Sequence, residues 1–70
     1  MNAPRSETDP SRHSANIRRM LIELSRHARE DAGKVSEPKA QALFETTAEV
    51  LQGLARAYDH YHTASEAAWK

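Results

Sequence analysis

Residues 36–69 read SEPKAQALFETTAEVLQGLARAYDHYHTASEAAW, and the reading of this stretch decides the fold. Its apolar residues recur every three or four positions, the spacing of a helix face. With Phe44 at heptad position a, Leu51 and Tyr58 also fall at a, and Ala40, Leu54 and Tyr61 fall at d, with Thr47 the one polar entry between them. Leu43, Val50, Ala57 and Ala64 fall at g, and Ala48, Ala55 and Trp69 at e. A two-stranded coiled coil carries charges at e and g. A band covering a, d, e and g belongs to a helix with at least two neighbours.

Upstream, Gly33 is the clearest stop signal, suited to the left-handed position just past a helix end. Val35-Ser36-Glu37-Pro38 reads as a restart: Ser36 caps, Pro38 sits in the first turn, and Val35 staples against Ala40. Before Gly33, Ile17, Leu21, Leu24 and Ala28 make a core stripe flanked by Met20 and His27, with Ile22 the one large apolar residue off it. Asp9 caps this first helix and Pro10 takes its first position, with Ser14 as the alternative cap. Arg19 with Glu23 and Arg26 with Glu30 are spaced for ion pairs. Asp31 near the helix C-terminus has no local reason, because the helix dipole disfavours a negative charge there. Residues 1–8 are polar and aperiodic and read as a disordered tail.

The organisation is therefore an all-α antiparallel hairpin: helix 1 over about 10–32, a turn at 33–36 and helix 2 over about 37–69. Gly53 is tolerated on the outer face of helix 2, where it costs about 1 kcal/mol relative to alanine. A short connection makes the helices antiparallel neighbours, with facing residue numbers summing to about seventy. Helix 2 then outruns helix 1 by roughly ten residues, ~15 Å. That overhang holds Tyr61, His62 and Trp69.

The chain has 70 residues, 39% of them hydrophobic, with ten basic and ten acidic side chains and no cysteine. This length lies near the lower limit for a self-sufficient core. The cysteine count leaves no disulfide, thiolate ligand or thiol nucleophile. Zero net charge argues against a dedicated nucleic-acid binder. No apolar run reaches the ~20 residues of a membrane span, and no signal-peptide pattern is present, so the cytoplasm is the expected location.

Asp59 and His62, spaced i,i+3, with His13 brought near by the hairpin, form the one candidate metal set; carboxylate-bridged bundles use a similar pair but add further carboxylates. Locally solvated or paired side chains are the plainer account. Glu23 and His27 are spaced for a metal pair but more simply for a helix-surface hydrogen bond. Arg5, Arg12, Arg18, Arg19, Arg26 and Arg29 make helix 1 and its leader arginine-rich, an anion or nucleic-acid surface in principle. Glu23 and Glu30 interrupt it, and no aromatic residue interleaves it for base stacking. Ser25, Ser36 and Ser65 have no evident His and acid around them, and the chain is too small for a pocket of its own, so catalysis and a cofactor are not expected.

The sequence points to a homodimer of hairpins, a four-helix bundle acting as a protein-interaction or regulatory module. Its interface is expected at Leu43, Phe44, Val50, Leu51, Tyr58, Tyr61 and Trp69. A metal- or small-ligand-binding bundle and an anion or nucleic-acid contact through helix 1 are the alternatives. Another protein is a possible partner; no membrane is.

Overall fold

The computed structural model describes the backbone of residues 9–69 and the side chains of residues 9–63. The tail expected over 1–8 and the side chains of Ala64, Ser65 and Trp69 lie outside the described residues. Two helices, α1 (Pro10–Ala32) and α2 (Pro38–Trp69), pack along each other as a hairpin. No described helix is long and apolar enough to cross a membrane.

The ends of α1 follow from local chemistry. Asp9 is extended, and its carboxylate accepts from the Ser11 amide at 3.0 Å while Pro10 takes the first helical position. At the other end Gly33 is not left-handed. Its φ and ψ are −76° and −12°, and its amide bonds back to the Arg29 and Glu30 carbonyls. The last turn tightens with right-handed bonds, so no positive φ is needed. Asp31 gains the reason the sequence did not offer. His27 Nε2 lies 3.1 Å from its carboxylate and Lys34 Nζ 3.9 Å away, and these basic groups offset the charge at the helix end.

α2 starts at Pro38 with Glu37, not Ser36, in the cap position: the Glu37 carbonyl accepts from the Gln41 amide at 3.0 Å. The Gln41 side chain donates to the Val35 carbonyl at 2.7 Å, so the turn folds back along the first turn of α2. This fold-back corrects the expected register. Ser14 meets His62, Arg18 meets Asp59 and Ser25 meets Ala48, so facing numbers sum to 73–77 rather than about seventy. The extra length of α2 is shared between both ends of the hairpin. Tyr61 and His62 are therefore not in an uncovered overhang: His62 is half-buried against α1.

The seam between the helices is made of small residues. Among the described residues the buried positions are Ser14, Ser25 and Ala32 on α1 and Ala48 and Ala55 on α2, and no large side chain is fully buried. The Ser25 hydroxyl reaches across to donate to the Ala48 carbonyl at 3.3 Å, which requires close backbones and satisfies the buried oxygen. Half-buried Phe44, Leu51, Tyr58 and His62 complete the α2 side, so α2 meets α1 through heptad positions a and e, not a and d. On α1 the stripe is rotated in the same way. Leu21 and Ala28 are half-buried, whereas Ile17 and Leu24 are exposed.

The Cα trace measures 52 × 27 × 12 Å, so the hairpin is a single layer about one helix thick. Two substitutions probe this packing, both followed by circular dichroism in denaturant at fixed protein concentration. Ala48 has 0% exposure, so Ala48→Leu is expected to lose ~1–3 kcal/mol by overpacking. A Cβ added at Gly53 meets nothing within 4 Å, so Gly53→Ala is expected to gain ~1 kcal/mol.

Candidate functional site

The candidate metal residues take separate partners. Asp59 projects to the charged side of the hairpin, where its two carboxylate oxygens accept from Nε and Nη2 of Arg18. His62, one turn on, turns into the seam with Nε2 3.0 Å from Ser14 Oγ. The Ser14 hydroxyl also lies 3.2 Å from the Ser11 carbonyl. When the hydroxyl proton goes to that carbonyl, the Nε2–H tautomer of His62 donates to the Ser14 oxygen; in the other tautomer Nε2 accepts from it. The His62 ring meets Tyr61 edge-on at 5.6 Å. His13 sits on the outer surface of α1 beside Arg12, Asn16 and Arg19. Among the described residues no three His, Asp or Glu side chains converge as a metal site would require. Glu23 and His27 also part: Glu23 holds Arg19 at 3.1 Å, and His27 holds Asp31.

The strongest surface feature is apolar. Ile17, Met20 and Leu24 of α1 and Leu43, Val50, Leu54 and Tyr61 of α2 are each 42–62% exposed. On both helices they occupy the positions flanking the seam on one side. Leu24, His27 and Ala28 line a shallow depression with Leu43, Phe44 and Thr47, so the two rows share one face of the slab. Seven large apolar residues exposed together on one face differ from the apolar residues scattered singly over an ordinary surface.

Of the expected interface residues, Leu43, Val50 and Tyr61 stand on this open face. Phe44, Leu51 and Tyr58 are half-buried in the hairpin seam, and the side chain of Trp69 is outside the described residues. Ile17, Met20 and Leu24 were not in the expected set. Their signal was present, since all three fall one step round the helix from Ser14, Leu21, Ser25 and Ala28, a run of small and apolar residues at seam spacing.

The other face is cationic. Arg18, Arg26 and Arg29 of α1 and Arg56 of α2 line an open groove of about 530 Å³ floored by Ile22, Ser25 and Ala55. This is where Ile22, off the apolar stripe of α1, finds its place. The chain matches no family model, no curated protein and no solved structure.

Because Asp59 and His62 diverge, millimolar zinc is expected to leave the melting temperature unchanged, a ligand raising it only by binding the folded state preferentially. A rise that disappears in His62→Ala would show a metal site that this geometry does not provide.

Proposed function

We propose that the protein is a protein-interaction module that works as a homodimer, two hairpins meeting through their apolar faces in a four-helix bundle. The observation that carries this reading is the one-sided exposure of Ile17, Met20, Leu24, Leu43, Val50, Leu54 and Tyr61 on a slab 12 Å thick. Stable domains bury apolar surface between two packed layers, and one hairpin supplies one layer. A second copy is the simplest second layer, since two-fold symmetry sets the same patch against itself. Half-buried Phe44, Leu51 and Tyr58 would then close the edge where the two layers meet. The module carries out no catalysis of its own in this reading: a single layer has no interior in which to enclose a substrate.

Sedimentation equilibrium on wild type and Val50→Asp tests the proposal. Val50 is 57% exposed in one hairpin, so aspartate there leaves the α1–α2 seam intact but places a charge inside the dimer. The wild type is expected to sediment as a dimer and Val50→Asp as a monomer with lowered helix content. A wild type that stays monomeric and fully helical at roughly 100 μM, where a dimer held at micromolar Kd is occupied, overturns the homodimer and assigns the face to a different protein.

A further inference from the structure

We propose that the face opposite the apolar one binds an acidic helical segment of a partner protein, whose carboxylates are held by Arg26 of α1 and Arg56 of α2. The groove is tied across at both ends. Arg18 engages Asp59 at one end. At the other, Arg29 donates to Glu49 at 3.3 Å and to Gln52 at 3.0 Å. Between these cross-links Arg26 and Arg56 line the same groove, both exposed, and neither makes an ion pair or hydrogen bond among the described residues. The pairing of Arg26 with Glu30 that their spacing allows does not form, and Glu30 does not line the groove. The groove therefore holds four guanidiniums and the one carboxylate of Asp59, with Glu49 engaging Arg29 from outside its lining, and the two unmatched arginines lie between the cross-links.

Their placement bears on the ligand. In the observed register Arg26 stands level with residues 47–51 of α2, so five to nine residues, roughly 8–13 Å along the axis, separate it from Arg56, and the two rise from different helices. Residues i and i+7 of a helix are ~10 Å apart and share one face, so an acidic helix laid along the groove offers two carboxylates within that range. The floor between the arginines is apolar and low: Ile22 is half-buried, and Ser25 and Ala55 are small. It suits an apolar side chain between the two acids, as in helix-in-groove recognition. A nucleic acid fits less well, since no aromatic residue lines the groove to stack a base. The groove lies on the side away from the proposed dimer face, so a monomer presents one and a dimer two.

The test uses the full chain and a fluorescein-labelled, alanine-based helical peptide with two glutamates seven residues apart and a leucine between them. Anisotropy titrations at low salt compare it with the same peptide carrying glutamine and with an oligothymidine. The glutamate peptide is expected to bind about tenfold more tightly than the glutamine peptide, the effect of two exposed ion pairs acting together. Arg26→Gln with Arg56→Gln should remove that difference at unchanged helix content, while Arg12→Gln keeps it. Arg26→Glu with Arg56→Glu should reverse the preference towards a lysine peptide; the single Arg26→Gln and Arg56→Gln variants decide if the doubles do not fold. Equal binding of the glutamate and glutamine peptides, or unchanged binding by the double glutamine variant, overturns the proposal. So does tighter binding of the oligothymidine lost in that variant, which would make the groove a phosphate site. Sedimentation of the same samples reports the dimer separately, so loss of one leaves the other standing.

Discussion

Everything in this hairpin depends on how closely α1 and α2 approach each other. The contact is made by Ser14, Ser25, Ala32, Ala48 and Ala55, and the Ser25 hydroxyl reaches the backbone carbonyl of Ala48. Small residues at the centre of a helix pair push the large ones to its flanks. Here the apolar flanks fall on one side and the arginines on the other, which makes a slab with two unlike faces. Ridge-and-groove packing of larger side chains would have held the helices apart and drawn Leu24 and Leu54 inwards. Those residues are instead about half exposed.

The charged face adds little to holding the helices together. Arg18–Asp59 and Arg29–Glu49 join α1 to α2, but all four side chains are more than a third exposed. Exposed pairs of this kind contribute ~0–1 kcal/mol. Register is better defined by the buried contact of Ser25 with Ala48 and the part-buried one of Ser14 with His62, because a slip would leave these groups unsatisfied away from water. The arginine side chains thus add little to the fold, and among the described residues Arg26 and Arg56 make no hydrogen bond or ion pair.

Much of this was legible in the sequence. Asp9-Pro10 marked the start of α1, and the breadth of the apolar band on α2 showed that one neighbour would not cover it. The rotation of the seam was not legible, because Ser14 and Ser25 count as polar by residue type although their size fits them for a close crossing. The register was misjudged because the turn was read as a short link, whereas Gln41 draws Val35 back along α2. Gly33 was read as left-handed from its identity alone, while the bonds of its amide keep it right-handed. At the surface, Leu43, Val50 and Tyr61 were identifiable from their heptad positions. Arg56 carries no sequence signal that joins it to Arg26, because the register that sets the two in one groove is not readable from spacing within either helix. Asp59 and His62 show the limit of spacing arguments. Residues three apart differ by about 60° round a helix, and at the edge of a seam that angle separates a solvent-facing ion pair from a half-buried hydrogen bond.

The two faces differ in what a change there does to the protein. A seam of alanines and serines buries little apolar area, and hydrophobic stabilisation scales with that area. The isolated hairpin therefore draws little stability from its own interior. In the proposed dimer the second layer supplies most of the burial, folding and association become one step, and stability depends on protein concentration. Substitutions on the apolar face then act on fold and assembly together. The cationic face stands outside that coupling: among the described residues Arg26 and Arg56 make no hydrogen bond or ion pair within the hairpin. In the proposed reading a ligand on that face therefore acts apart from folding and assembly.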